Sequence, residues 1–509
     1  MPQTLPTVTR TSASERPDAP AIVFGERTTT WRELDAASSR VASGLGASGV
    51  VDGSRVAVLS KSTDRFFEIF FGAAKAGAVL VPVNWRLASP EIEHILADAE
   101  AQVLFVGSEF ASLVEAARPR LPALHEVIVI DHHSNVDPYR RWTQRFEPID
   151  PQRDLDPDAV ALQLYTSGTT GRPKGALITH SYFFENFRLV QRIPSRFCDW
   201  DPSEATLVTF PLFHIGGLNW AFMGAVQGCT LLVMPDFDPA AILALLSRYR
   251  VPALPLVAAM LQAVLSTVGA TETDFGTVRH VVYGAAPIPP ALLRRAIDMI
   301  GCGFVQTYGM TESTIVTVLD AEDHQLPTIP AMLSVGQPMP EIELEIVDDR
   351  GAPVPDGEIG EIIVRTPVLM KGYWRQPDAT AEVIKDGWFH TGDAGYLSKD
   401  GYLYLKDRVK DTIISGGENI YPAEVENALY EHPSIKEVAV VGVPDDTWGE
   451  VPKAFIVPEE GAVLDESALL SHTEQRIARY KLPKHFAVVT ALPRTASGKV
   501  LRRVLRDQS

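Results

Sequence analysis

Alternation of strand and helix patterns over residues 1–160 constrains the fold of this chain more than any other feature. Residues 21–24 and 27–29 read as two short strands turning at Gly25-Glu26. Thr30 followed three residues on by Glu33 is the pattern of a capping box, so a helix should open there and end near Gly44 or Gly49. Residues 55–59 (RVAVL) and 78–83 (AVLVPV) are apolar runs of strand length, with a helical stretch over 64–75 between them. Ser89-Pro90 places a cap and then a proline at the start of another helix. Residues 103–106 close the series. Strands that alternate with helices predict an α/β fold, with parallel sheets covered by helices.

At 509 residues the chain is too long for one core, so two or more domains are expected. The last hundred residues read as a compact unit of their own: helix 423–430, strands 438–443 and 454–457, helix 467–480 and strand 486–489. The composition, 46% hydrophobic and 22% charged, is that of a globular protein. Three cysteines (Cys198, Cys229, Cys302) have neither metal spacing nor a disulfide framework and read as structural thiols in a reducing compartment. A net charge of −18 argues against nucleic acid as a partner. Residues 1–20 lack an apolar signal core, and the apolar stretch 251–265 is too short to span a bilayer, so a cytoplasmic protein without a transmembrane segment is expected.

An apolar strand, 159–164, leads into Tyr165-Thr166-Ser167-Gly168-Thr169-Thr170-Gly171-Arg172-Pro173-Lys174-Gly175. Flexible backbone lets N–H groups converge on an anion. The hydroxyls of Thr166, Ser167, Thr169 and Thr170 add donors, and Lys174 adds a full charge. The loop is built to grip phosphate oxygens, yet it is no Walker loop: Arg172-Pro173 intervene before the lysine, and Gly175 stands where Ser or Thr would be needed. A Ser/Gly linker is the bland alternative, but linkers rarely follow a buried strand.

The run TSGTTGRPKG resembles the phosphate loop of the adenylate-forming superfamily, which holds acyl-CoA synthetases, luciferases and adenylation domains. Further motifs follow in the order that family shows. Pro211-Leu212-Phe213-His214 with two glycines behind it is similar to the segment lining the family's acyl pocket, although a lone histidine beside apolar residues is by itself more often a core residue. The resemblance places His214 and the following Trp220, Phe222 and Met223 at that pocket. Gly284-Ala285-Ala286 resembles the adenine segment, where small residues admit a flat ring. In Gln306-Thr307-Tyr308-Gly309-Met310-Thr311-Glu312, Tyr308 offers a stacking face, Thr311 a hydroxyl to the α-phosphate, and Glu312 a hard oxygen for magnesium. Thr170 is the second residue that the resemblance places at the metal.

Asp393 suits both ribose hydroxyls. The Asp407-Arg408-Val409-Lys410-Asp411 run resembles the family's domain junction, with Arg408 on ribose and Lys410 as hinge. Ser415, Gly416 and Gly417 look like the border of a pantetheine tunnel, and Trp448 like a CoA-contacting tryptophan. Pro493-Arg494-Thr495-Ala496-Ser497-Gly498-Lys499 is similar to the catalytic loop. The resemblance therefore implies a large N-terminal domain of layered α/β sheets over 1–409, a hinge at 410, and a small mobile α+β domain over 411–509. It implies an AMP-forming acid–thiol ligase that uses ATP, Mg2+ and CoA on a small carboxylic acid, with Lys499, Thr311, Glu312 and His214 as catalytic residues. A medium- or long-chain fatty acid is the expected substrate. An aryl acid of the benzoate or coumarate type is the runner-up, and an acyl-AMP ligase or luciferase-like enzyme the third reading. A homodimer is an expectation at family level only.

Overall fold

The computed structural model describes residues 3–131, 137–166, 173–271, 273–285, 288, 290–325, 334–408, 411, 413–415, 418–445, 448–494 and 500–508. The chain divides into two compact units: residues 1–343 with 365–385, and residues 344–364 with 386–509.

The first unit carries three sheets. The six-stranded one runs in the order Glu126–Ile130, Val103–Gly107, Arg55–Leu59, Val79–Pro82, Val160–Thr166, Lys174–Thr179. Its first five strands are parallel, as the alternation predicts, and the last turns back antiparallel. The helix Asp64–Lys75 between two of these strands is buried along its whole length, which is why its polar residues are all engaged. Lys75, fully buried, donates to Asp35 at 2.6 Å and to Ser39 at 2.9 Å. The predicted capping box is present: Glu33 N–H donates to Thr30 Oγ1, and Thr30 N–H to Glu33 Oε2 at 2.8 Å. The turn at Gly25-Glu26 pairs Phe24 with Arg27 as expected.

Two expectations are corrected. The series does not close at 103–106, because Glu126–Ile130 adds a further parallel strand beyond it. Ser89 lies inside its helix; Ala88 is the N-terminal cap residue, and Glu91 Oε2 accepts its N–H at 2.9 Å.

The four-stranded sheet (Arg27–Thr30, Pro20–Phe24, Thr230–Val233, Ala205–Val208) and the five-stranded one (Ala253–Leu256, His280–Gly284, Gly303–Met310, Thr314–Leu319, Gln337–Pro338) share an apolar core. Leu207 and Leu232 from one meet Leu254, Val281 and Phe304 from the other, with Leu261 and Leu293 from covering helices.

In the second unit, Trp388–Leu397 pairs antiparallel with Gly360–Arg365 and with Leu403–Arg408. A separate five-stranded sheet is built around Gly449–Pro458, which pairs antiparallel with Ile435–Asp445. Residues of Ile435–Asp445 alternate between two cores: Val438 and Val440 face one with Val425, Leu429 and Leu469, while Ala439, Val441 and Val443 face another with Leu505. The helix expected over 467–480 stops at Glu474; Ile477 instead packs against the first of these cores, and Ala478 is extended. Burial pushes the thiols of Cys198, Cys229 and Cys302 up to about 12, which leaves them inert.

Candidate active site

The two ends of the loop that follows Thr166 are held by its own hairpin. Thr166 on Val160–Thr166 stands opposite Lys174 on Lys174–Thr179. Ser167, Gly168, Thr169, Thr170 and Gly171 lie outside the described residues. Gly175 leaves no room for a side chain, since a Cβ there would sit 2.7 Å from Gln163 Nε2. Gln163 is fully buried; its Oε1 accepts from Arg55 at 3.2 Å, and its Nε2 donates to Tyr165 at 2.9 Å. Tyr165 in turn donates to Asp98 at 2.5 Å, and burial with that carboxylate holds its pKa above the usual tyrosine value. The strand leading into the loop thus rests on a satisfied polar chain and not only on apolar packing.

A segment of the first unit far along the chain lies against the hairpin's outer strand. Trp374 N–H donates to Gly175 O at 2.7 Å, Leu177 N–H to Gly372 O at 2.9 Å and Lys371 N–H to Leu177 O at 2.8 Å. This places Tyr373, whose hydroxyl donates to Glu312 Oε1 at 2.9 Å. Thr166 Oγ1 donates to the same oxygen at 3.3 Å. Lys174 Nζ lies 5.2 Å from the centre of the Tyr373 ring.

Glu312 is on a tight turn. Gly303–Met310 and Thr314–Leu319 are antiparallel, with Met310 opposite Thr314, so Thr311, Glu312 and Ser313 form the connection. Thr314 has φ +57°, a left-handed conformation that is costly for a β-branched residue. Hydrogen bonds hold it there: Thr314 Oγ1 donates to Asn186 Oδ1 at 3.0 Å and accepts from Asn219 Nδ2 at 3.1 Å. Tyr182 donates to Thr311 O at 2.9 Å, and Met370 N–H to Glu312 O at 2.7 Å. A Cβ on Gly309 would fall 1.9 Å from Thr314 O, so only glycine lets the strands meet here.

Gln306, Thr307, Tyr308 and Gly309 lie on the strand and not in a turn. Thr307 faces Gly284 on the neighbouring strand, and a Cβ at Gly284 would be 2.3 Å from Thr307 O. Ala285 follows, exposed, at φ +64°; Ala286 lies outside the described residues. Thr166, Lys174 and Glu312 therefore converge, and Gly284 and residues 306–309 share one sheet with the Glu312 turn.

His214 is the residue before the helix Ile215–Val226, its ring centre 4.6 Å from that of Phe213. On that helix Trp220 stacks with Phe197 at 6.5 Å and meets Trp200 at 5.0 Å, while Phe222 meets Phe183 at 5.2 Å and Phe184 at 4.9 Å. Met223 is buried beside them in sequence. Asn219, from the same helix, is the residue that reaches Thr314.

In the second unit, Asp393 stands opposite Arg408 on paired strands. Ser415 is half-buried, and Trp448 is 50% exposed with its N–H donated to Asp445. Lys410, Gly416, Gly417 and Lys499, and the side chain of Arg408, lie outside what is described.

Among the described residues no group of three or more His, Cys, Asp or Glu could enclose a metal. The site fits magnesium in another way. Magnesium keeps waters and phosphate oxygens and takes one or two protein carboxylates. Both hydroxyl donors to Glu312, from Thr166 and Tyr373, fall on Oε1 and not on Oε2.

Sequence reading missed Tyr373, Tyr182, Asn186 and Thr314. The first is flanked by Gly372 at φ +134° and Arg375 at φ +53°, and of these only the glycine is a sequence hint of an unusual backbone. The others carry no motif and become visible only through contacts across the fold.

Comparison with known proteins matches residues 9–374 to the family model "AMP-binding enzyme" and residues 424–499 to "AMP-binding enzyme C-terminal domain". A fatty acid–[acyl-carrier-protein] ligase of Streptomyces coeruleorubidus is 40% identical over 99% of this chain and 96% of its own length. A feruloyl-CoA synthase of an Amycolatopsis species is 41% identical over 96% of both chains. The ATP-bound crystal structure of MatB from Rhodopseudomonas palustris superposes with a TM-score of 0.90 at 29% identity, covering 100% of this chain and 99% of that one.

Proposed function

We propose a reaction from one premise: the chain belongs to the AMP-binding enzyme family. It is an AMP-forming acid–thiol ligase that uses ATP, magnesium and CoA. The finer reading is that its acid is a medium- or long-chain fatty acid, activated as acyl-AMP and then transferred to CoA.

A carboxylate oxygen attacks the α-phosphorus of ATP, the bond from that phosphorus to the α,β-bridging oxygen breaks, and pyrophosphate leaves with that oxygen. The CoA sulfur then attacks the acyl carbon, and AMP departs with the shared oxygen. Two anions meet in the first step, so charge must be offset where it accumulates. In our reading Thr166 to Lys174 hold the β- and γ-phosphates, Thr311 meets the α-phosphate, and Tyr308, Gly284 and Ala285 receive adenine. Asp393 and Arg408 take the ribose. When bound, magnesium neutralises phosphate oxygens, and Glu312 with Thr170 would hold it. Lys499 neutralises the α-phosphoryl centre in the first step. Ser415, Gly416, Gly417 and Trp448 guide CoA in the second, after the domain over 411–509 turns about Lys410.

The observation that carries this reading is the convergence of Thr166 and Tyr373 on Glu312 beside Lys174; three distant stretches bring a hydroxyl, a carboxylate and a cation together, which supports a phosphate and metal site. Its test is AMP and acyl-CoA formation across a panel of short- to long-chain fatty acids and aryl acids. Release of ADP in place of AMP would refute it.

Among acids, the apolar helix bearing Trp220, Phe222 and Met223 supports a fatty chain. The second reading, an aryl acid, is favoured by the feruloyl-CoA synthase relative and by the commitment of Trp220 and Phe222 to aromatic clusters. A higher kcat/KM for a cinnamate-type acid than for any fatty acid would decide for it. No described helix is long and apolar enough to cross a membrane; cytoplasmic placement and a homodimer belong to the same proposal.

A further inference from the structure

We infer that Tyr373 is a positioning residue that keeps Lys174 and Glu312 from pairing with each other while aiming the Glu312 carboxylate at the metal. The inference rests on the reading of Glu312 as a magnesium ligand.

A lysine and a carboxylate in one partly buried site attract strongly. If they paired, each would neutralise the charge that the other charge group of the substrate needs, and nucleotide binding would first have to break the pair. Among the described residues no ion pair joins Lys174 to Glu312. Each meets Tyr373 instead. The ring takes Lys174 at 5.2 Å, within range of a cation–π contact. The hydroxyl donates to Glu312 Oε1 at 2.9 Å. With Thr166 on the same oxygen, Oε1 is held by two donors, and neither of them is spent on Oε2.

Tyr373 is itself immobilised. Its N–H donates to Thr380 Oγ1 at 2.9 Å, and its neighbours bond to the strand that carries Lys174. Trp374, next in the chain, lies under the Arg55 guanidinium at 3.5 Å and donates Nε1–H to Asp98 O at 3.0 Å. One side chain on a braced segment therefore contacts the cation and the anion of the phosphate site at once. Groups that orient a metal's carboxylate typically cost tenfold or more in metal affinity when removed.

The test separates ring from hydroxyl. Tyr373→Phe keeps the ring and the segment, and Tyr373→Leu removes both functions. Mn2+ is titrated in place of Mg2+ into enzyme holding a non-hydrolysable ATP analogue, without acid, and read by electron paramagnetic resonance. Tyr373→Phe should raise the Mn2+ Kd about tenfold. It should leave the analogue's metal-free Kd and the melting temperature unchanged. Tyr373→Leu should in addition weaken metal-free analogue binding about two- to fivefold, the worth of a cation–π contact. Glu312→Gln is the control. If it weakens Mn2+ binding and Tyr373→Phe does not, the role of Tyr373 is overturned and the magnesium reading stands. If neither variant changes Mn2+ binding, the magnesium reading is overturned and this inference falls with it.

Discussion

Protonation of His180 should release the N-terminal helix. That helix, Leu5–Glu15, begins after Thr4, which makes no side-chain cap. The first amide, Leu5 N–H, instead points at His180 Nδ1, 3.4 Å away. Nδ1 must keep its lone pair to accept, so the contact exists only with neutral imidazole. His180 is 2% exposed and is the first residue of the helix His180–Val190, where a positive charge is unfavourable. Burial lowers its pKa from 6.5 to about 4, against an opposing pull from Asp156. Above pH 6.5 the residue is neutral folded and unfolded and has no effect on stability. As pH falls below 6.5 the unfolded chain takes a proton that the folded one refuses, so stability is lost until about pH 4. The gap between 6.5 and about 4 is worth about 3 kcal/mol, at about 1.4 kcal/mol per pH unit. His180→Asn keeps an acceptor near the Nδ1 position and cannot titrate. Hydrogen exchange over residues 5–15, corrected for intrinsic rate, should speed up between pH 6.5 and 4.5 in the parent and not in the variant. Equal pH profiles in the two proteins would refute the reasoning, because His280 and His324, also lowered by burial, are common to both.

Gly309→Ala forces a Cβ onto Thr314 O at 1.9 Å. It should cost about 1–3 kcal/mol of stability by overpacking; calorimetry and pyrophosphate release measure the loss of stability and the displaced Thr311-Glu312 turn together. Lys499→Ala should lower adenylation by the order of 10²–10³ and largely spare thioesterification of supplied acyl-AMP; equal loss in both half-reactions, each assayed alone, would remove Lys499 from the first step.

Local signals were legible where the interaction that makes an element lies within a few residues. Thr30 and Glu33 announce their helix because the cap is a contact three residues long. The helix expected over 64–75 matches Asp64–Lys75, and the structure adds the cap that starts it, Thr63, whose side chain accepts from Phe66 N–H. The strand Glu126–Ile130 was not legible, because its partner Val103–Gly107 lies some twenty residues back, across the short helix Ala111–Ala117. The helix at Glu466 was overextended because Ile477 fits a helical period yet serves the core from outside it. At the site, Thr166, Lys174 and Glu312 sit in recognisable strings. Tyr373, Asn186 and Thr314 do not, since what distinguishes them is a partner 61, 128 or 95 residues away.

Those separations bear on how the molecule becomes active. The left-handed Thr314 is stable only when Asn186 and Asn219, on two different helices, have both docked against it. Contacts of such span close late, after local helices and hairpins have formed. A chain with most of its secondary structure in place still lacks the turn that presents Thr311 and Glu312. On the proposed roles of Thr311 and Glu312, pyrophosphate release should therefore return only with the finished fold, later than the secondary structure, when the protein is refolded.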